Sequence, residues 1–380
     1  MKPINICITS PNYPPSDITC GVGDYTKKVA EEFERMGHRV VILASKGYKG
    51  PQTTGNTRII RFCKKWGFSA FLRLASFVKK NEFDLINIQY TPVLYRTWFK
   101  LPLCLINMIK PVVISFHTLH RSTVLSKVES LLLIKTCKGI ISTNEEITYM
   151  LNKARFINKK FPEIPIGSNI VPVSDRSITK KEAKESLGLG EGDLIMTNFG
   201  LFYPGKGLET LFEACSLLKE KMPDFRLILL GSLSSGDTDY IQIIKSLITQ
   251  LDIQDKVMFT GFQESEKVTQ YLRATDVFVV PFDRGVSIRR GSLMAGIVHG
   301  LPILTTFPEV PSRYIDETNM VLIPPKDPVS LMDKMLELNN NTTKRLELEQ
   351  NVLKLRQKFM WSDISKQIIK EFYRLLEISH

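Results

Sequence analysis

The chain contains no C-x-x-C pair, no repeat of solenoid period and no uninterrupted apolar run long enough to span a bilayer. Its six cysteines (Cys7, Cys20, Cys63, Cys104, Cys137 and Cys215) stand singly, so neither a disulfide framework nor a zinc ribbon is expected. Cys7 and Cys137 lie in or beside apolar runs, where a small thiol packs well. The longest apolar stretch, Leu101 to Phe116, is broken by Pro102, Asn107, Lys110 and Pro111, and reads as a helix followed by a buried strand rather than a spanning helix. The opening MKPINICITSPNYPP passes directly from a strand-like run to a Pro-rich loop, without a long hydrophobic core or a small-residue cleavage site. The expectation is therefore a cytoplasmic protein, with the inner face of the cell membrane as a second station. Low complexity is confined to Asn339–Thr343, which predicts a solvated turn between helices.

With 380 residues, 43% of them hydrophobic and 24% charged, the chain is long enough for two globular domains. Its net charge of +12 is unevenly spread: residues 1–170 hold 25 Lys and Arg against 11 Asp and Glu, whereas residues 171–380 hold 26 against 28. A basic first half attracts nucleic acid, anionic membrane or phosphorylated ligands, and charge alone does not choose among them.

Short β-branched runs alternate with helical patterns: Ile4–Thr9, Arg39–Ala44, Asp84–Gln89, Val112–Phe116 and Gly139–Ser142, then Leu194–Phe199, Arg226–Leu230, Val277–Pro281, Ile303–Thr305 and Met320–Ile323. Each has the composition of a strand buried on both faces. Asp24–Met36 carries Tyr25, Val29, Phe33 and Met36 at helical spacing, with Gly37 placed to close the helix. The β-α series restarts after a loop, Ile164 to Ser177, and a short helix, Thr179–Leu187, with Ser177 or Thr179 as its cap. This predicts an α/β protein of two doubly wound parallel-sheet domains, residues 1–172 and 173–360, with ligands beyond the carboxyl ends of the strands in a cleft between them.

Four loops could carry chemistry. In Pro11–Asp24, Gly21-Val-Gly23 brings amides to a helix start, where a phosphate or sugar fits as well as a plain turn does; a third glycine and the acidic residue of a dinucleotide fingerprint are missing. His117 follows the strand Val112–Phe116 and projects at its carboxyl end, with His120 a turn further on; a structural hydrogen-bonding role competes with a functional one. Gly200-Leu-Phe-Tyr-Pro-Gly-Lys-Gly207 holds Lys206 before a helix, positioned to neutralise a diphosphate. Pro281-Phe-Asp-Arg-Gly-Val-Ser-Ile-Arg-Arg-Gly-Ser292 puts Arg289 and Arg290 at the start of an apolar helix, where an anionic partner is expected and the amides of Gly291 and Ser292 add hydrogen-bond donors. Asp237-Thr-Asp239 has the form of a D-x-D metal motif but sits in a Ser/Gly-rich turn and is read as a surface turn. Lys64–Lys80 mixes lysines with aromatics, as interfacial helices do, although an ordinary amphipathic helix packed on the sheet is the preferred reading.

Taken in order, these pieces resemble glycosyltransferase family 4, retaining sugar-nucleotide transferases of GT-B fold. They are Gly21 and Gly23, Glu34-Arg-Met-Gly-His-Arg-Val40, His117, Gly200–Gly207, Val257-Met-Phe-Thr-Gly-Phe262, Val268–Arg273 leading into Thr275–Pro281, and His299-Gly-Leu-Pro302. The resemblance implies that the second domain holds a nucleotide-diphosphate sugar, with Lys206 on the diphosphate and Gly261, Phe262 and Glu264 near the base. The acceptor would approach from the first domain, His117 would stand near the transferred sugar, and residues 361–380 would cross back onto the first domain. Two departures matter. An arginine common after the glycine of the lysine loop is Leu201 here, and two glutamates that commonly flank the sugar nucleotide are Ser287 and Ala295. Arg289 and Arg290 lie between the two empty positions and are expected to replace the missing cation, the run V-S-x-R-R-G-S being similar to that of a family 4 subset.

The expected activity is metal- and cofactor-independent retaining transfer of a hexose-type sugar to a glycan, glycolipid or other hydroxyl acceptor. Lys206, Arg289, Arg290 and His117 would do the chemistry, and Gly21, Gly23, Gly200, Gly261, Phe262, Glu264, Ser287, Gly291 and Ser292 would help bind the sugar nucleotide. Anionic membrane is a further expected contact and nucleic acid is not. The rivals are a non-catalytic sugar-nucleotide- or partner-binding subunit, motivated by the absent glutamates, and a nicotinamide-dependent dehydrogenase, motivated only by the paired Rossmann-like pattern.

Overall fold

The computed structural model describes residues 2–15, 20–95, 105–119, 124–154, 159–172, 178–190, 192–232 and 238–377. The chain forms two compact units, Met1–Gly167 joined by Trp361–His380, and Ser168–Met360. The boundary falls five residues before the position 172 expected from the loop composition.

The first unit is built on strands β1 (Asn5–Thr9), β2 (Arg39–Ser45), β3 (Thr53–Thr54), β4 (Thr57–Cys63), β5 (Leu85–Tyr90), β6 (Val112–Phe116) and β7 (Gly139–Ser142). They run in the order β3-β4-β2-β1-β5-β6-β7, parallel except for the short β3. Helices α1 (Gly21–Arg35), α2 (Phe68–Lys80), α3 (Val124–Thr136) and α4 (Glu145–Lys153) connect them. Phe71, Leu74 and Val78 of α2 share one core with Leu133 and Ile134 of α3 and Ile147 of α4, while Tyr25, Val29 and Phe33 of α1 belong to a second core. The central strands are therefore sealed on both sides, which is why they read as continuous apolar runs.

In the second unit, β8 (Leu194–Phe199), β9 (Phe225–Leu230), β10 (Val257–Gly261), β11 (Val277–Val280), β12 (Ile303–Thr306) and β13 (Val321–Ile323) form a parallel sheet in the order β10-β9-β8-β11-β12-β13. Its helices are α5 (Lys180–Ser186), α6 (Leu208–Lys221), α7 (Thr238–Gln250), α8 (Ser265–Ala274), α9 (Gly291–His299), α10 (Pro328–Asn340) and α11 (Thr342–Arg356). Thr179 caps α5 in a reciprocal box with Glu182, each side chain accepting from the other residue's amide; Ser177, the other candidate cap, lies outside the described residues. Asn341 caps α11 and is the one residue between α10 and α11, so the turn expected over Asn339–Thr343 shrinks to a single residue, the rest belonging to the two helices.

A last helix, α12 (Trp361–Leu376), belongs to the first unit. Ile364, Ile368, Phe372 and Leu375 recur on one face and are buried. Its Trp361 ring lies 5.5 Å from Tyr25 and its Phe372 ring 5.9 Å from Phe33, and Tyr373 Oη donates to the Lys2 carbonyl at 2.6 Å.

Three strands, β3, β4 and β10, are additions to the sequence expectation. β4 exposes Arg58 and Arg61 beside the buried Ile59 and Phe62, and β10, an edge strand, exposes Met258 and Phe259. Neither has the doubly buried apolar pattern that marked the central strands. Cys7, Cys20, Cys63 and Cys215 are free thiols, Cys7 and Cys137 are buried as expected, and Cys104 lies outside the described residues. No helix among the described residues is long and apolar enough to cross a membrane.

Candidate active site

In the second sheet the connections reverse direction between β8 and β11, which are hydrogen-bonded neighbours. A crevice opens at such a switch point because the loops leaving the two strands diverge to opposite faces. The loop after β8 carries Lys206, and the loop after β11 carries Arg289 and Arg290.

What draws the loops together is local. Gly207 has φ +74° and caps α6; a Cβ on it would lie 1.7 Å from the carbonyl oxygen of Pro281, the residue after β11. The backbone of the lysine loop thus rests directly on the exit of the neighbouring strand. Lys206, only 7% exposed, donates from Nζ to Ser292 Oγ at 3.1 Å, and Nζ lies 5.5 Å and 5.3 Å from the ring centres of Tyr203 and Phe282. The guanidinium of Arg290 lies 4.9 Å from the Phe282 ring centre, and its Nη1 donates to Tyr203 Oη at 3.1 Å. Arg290 Nε is buried without a hydrogen-bond partner.

Two cations therefore share two aromatic rings, and neither makes an ion pair among the described residues. Burial, followed by the charge of Arg290, pushes the Lys206 ammonium down to about 8 from its ordinary 10.5. Such an arrangement is electrostatically incomplete, because a buried ammonium and a half-buried guanidinium beside it repel without a counter-ion. An anion with two charged oxygens completes it. Since the unfolded chain holds the lysine proton up to 10.5 and the folded chain releases it near 8, stability without ligand rises as pH climbs between those values.

The remaining expected residues divide. Gly200, at the end of β8, borders the cluster: a Cβ there would lie 3.5 Å from Lys206 Nζ and 3.6 Å from Ser292 Cβ. Gly291 opens α9 with open space beside it. Ser287 is buried and folds the approach to α9, its carbonyl accepting from the Arg290 amide at 3.1 Å. Both arginines were expected to need an anion because the helix they precede is buried; α9 is buried, but Arg289 itself is exposed, so burial argues only for Arg290. Gly261, Phe262 and Glu264 are exposed at the end of edge strand β10, two strands from β8.

In the first unit Gly21 begins α1 with open space beside it, whereas a Cβ on Gly23 would lie 2.1 Å from the Asn12 carbonyl oxygen, so close packing alone requires glycine there. His117, at the end of β6, is buried. Its Nε2 bonds Gln89 Oε1 at 2.8 Å, the Tyr25 ring stands edge-on to it at 4.7 Å, and burial pushes the imidazole down to about 3. His120 and Asp237 lie outside the described residues, and Asp239 is in the first turn of α7. Among the described residues no three His, Cys, Asp or Glu side chains converge on a metal position.

Sequence reading passed over Tyr203, Phe282, Asn87 and Gln89. The signal for the first pair was an aromatic ring in each cation-bearing loop; for the second, two amides inside an otherwise apolar strand.

Comparison with known proteins places this geometry in a family. The model "Glycosyltransferase Family 4" matches residues 19–167 and "Glycosyl transferases group 1" matches residues 179–355. Together the two matches, each to a glycosyltransferase model, run along most of the chain, and the fold is of the GT-B type. It is 26% identical to mannosylfructose-phosphate synthase of Agrobacterium fabrum over 40% of this chain and 34% of that one. It is 22% identical to alpha-monoglucosyldiacylglycerol synthase of Streptococcus pneumoniae over 75% of this chain and 69% of that one. The match thus spans about a third of the length of the first relative. The solved structure of Anabaena HepE in complex with UDP-glucose shares the fold, with a TM-score of 0.72 at 18% identity over 98% of this chain and all of that one.

Proposed function

We propose that the protein transfers a sugar from a nucleoside diphosphate to an acceptor hydroxyl with retention of configuration, in the synthesis of a glycan, glycolipid or cell-surface polysaccharide. The observation that carries this is the pairing of Lys206 with Arg290 at the β8/β11 switch point, without a carboxylate partner among the described residues. In the reaction the anomeric C–O bond to the diphosphate breaks and its electrons stay on the leaving oxygen. The acceptor oxygen bonds the anomeric carbon on the same face, and its proton passes to the leaving phosphate. Lys206, Arg290 and the first-turn amides of α9 at Gly291 and Ser292 stabilise the growing negative charge, each well-placed hydrogen-bond donor being worth about 3 kcal/mol. The scheme calls on no metal and no cofactor. The acceptor side is assigned to the basic first unit, with His117 orienting or polarising the sugar. Gly261, Phe262 and Glu264 are assigned to the base on the strength of the family resemblance.

A thermal-shift series with UDP-, GDP- and ADP-sugars tests this reading. At a hundred times its dissociation constant the cognate sugar nucleotide stabilises by about 2.7 kcal/mol. Because the Lys206 ammonium titrates near 8 in the free protein and the bound anion holds its proton, affinity is expected to fall about tenfold per pH unit above that value. No shift with any sugar nucleotide would remove the proposal. Binding without transfer would leave the rival favoured by Ser287 and Ala295 standing where glutamates are common, a non-catalytic binding subunit.

Anionic membrane is the proposed further contact. Helix α2 buries Ala70, Phe71, Leu74 and Val78 but leaves Phe68 and Leu72 each 52% exposed, between the exposed lysines 64, 65, 79 and 80. The protein is expected to float with phosphatidylglycerol vesicles and not with phosphatidylcholine. Phe68→Ser with Leu72→Ser should weaken flotation by about tenfold, as half-burial of two such side chains would give. Equal sedimentation with both lipids would favour a soluble acceptor.

A further inference from the structure

Strand β5 reads Leu85-Ile-Asn-Ile-Gln-Tyr90 and is buried at every residue. Asn87 and Gln89, two apart, lie on one side of the strand, and amides so deeply placed persist only when their hydrogen-bonding groups are satisfied. Asn87 Nδ2 lies 3.1 Å from the Val113 carbonyl oxygen and 3.0 Å from Ser115 Oγ. A carbonyl oxygen only accepts, so the Asn87 atom facing Val113 must be its NH2 group, and its Oδ1 is turned to Gln89. Gln89 therefore donates from Nε2 to Asn87 Oδ1 and turns Oε1 toward His117. That oxygen also only accepts, so His117 Nε2, 2.8 Å away, must carry the hydrogen.

Among the described residues the rest of the surroundings add no second proton. The side chain edge-on to the ring is Tyr25, whose hydroxyl burial keeps protonated. The His117 backbone is pinned by its amide to the Tyr90 carbonyl at 3.0 Å and by Asn144 Nδ2 to its own carbonyl at 3.3 Å. With Nε2 committed to Gln89 and the ring neutral, Nδ1 keeps a bare lone pair, and among the described residues nothing donates to it.

We propose that Asn87 and Gln89 are positioning residues: anchored on the Val113 carbonyl, they lock His117 in the Nε2–H tautomer, so that its Nδ1 can only accept a hydrogen bond, from a ligand hydroxyl. The identity of that ligand as a sugar rests on the glycosyltransferase reading; the tautomer does not. A histidine so held does not grip the diphosphate or act as a general acid. It selects a ligand that donates a hydroxyl hydrogen at that point.

The test is two-bond 1H–15N correlation spectroscopy on the full-length 15N-labelled protein, which distinguishes the two ring nitrogens without any variant. The His117 ring is expected to show the Nε2–H pattern unchanged from pH 5 to pH 8. In Gln89→Leu that single pattern should be lost and transfer should fall at least tenfold. In Ser115→Ala, which spares the Val113 bond, both should persist. An Nδ1–H ring or an imidazolium in the wild-type protein would overturn the proposal, as would a Gln89→Leu variant retaining both the Nε2–H pattern and full turnover. A locked Nε2–H tautomer in a protein that binds no sugar nucleotide would instead sink the glycosyltransferase reading and leave the relay standing.

Discussion

Arg290→Ala is expected to lower kcat/KM for sugar transfer by a hundredfold or more, about 2.7 kcal/mol of transition-state stabilisation, with the fold intact. The side chain makes no ion pair among the described residues; what it loses is a hydrogen bond to Tyr203 and its place against Phe282. Neither contact secures a core. Its charge, however, is one of two that face a departing diphosphate in the proposed reaction. Arg289→Ala, which removes an exposed side chain, is expected to cost less than about threefold. A second readout follows from the electrostatics: Arg290 is part of the reason the Lys206 ammonium lies near 8, so its removal should move the alkaline limb of sugar-nucleotide binding to higher pH. If both variants matched the parent in turnover, the assignment of the diphosphate to this cluster would be lost.

The largest expected effect on stability is that of Gly207→Ala. The new Cβ would meet the Pro281 carbonyl oxygen at 1.7 Å in a left-handed conformation, and the obstruction is backbone rather than a movable side chain. The left-handed conformation alone costs about 1–3 kcal/mol. Parting the lysine loop from the β11 exit brings the total to about 4 kcal/mol, which in a unit of this size lowers the melting midpoint on the order of 10 °C. Gly205→Ala is the control: φ there is +95°, but no atom lies within 4 Å of the added carbon, so only the conformational part should appear. Equal losses in the two variants, read by calorimetry, would show that the contact with Pro281 does not hold the loop.

Much of this architecture was legible before folding. A strand sealed on both faces must be apolar throughout, and so Val112–Phe116, Gly139–Ser142 and Leu194–Phe199 were found at their observed bounds. Trp361–Leu376 was expected only from the family resemblance, and it carries a single apolar stripe at helical spacing, which suits a helix packed along one side. Thr57–Cys63 and the edge strand Val257–Gly261 were not found as strands, since both are half solvated and their residues answer to two environments at once.

The candidate site divides along the same line. Composition and spacing by themselves determined two β-α series, a glycine-flanked lysine after the first strand of the second series, and an arginine pair ahead of an apolar helix. Local chain stiffness and side-chain type settle such features. Only the tertiary structure decided that Arg290 stands beside Lys206, because its direction is set by Tyr203, 87 residues away in the chain, and by the ring of Phe282. Likewise nothing in Leu85–Tyr90 announces a relay: Asn87 and Gln89 acquire their orientation from a carbonyl on the adjacent strand and pass it to a histidine 28 residues further along the chain. Hydrogen-bond direction is a property of partners brought together by folding, and a linear sequence does not contain the distances that choose them.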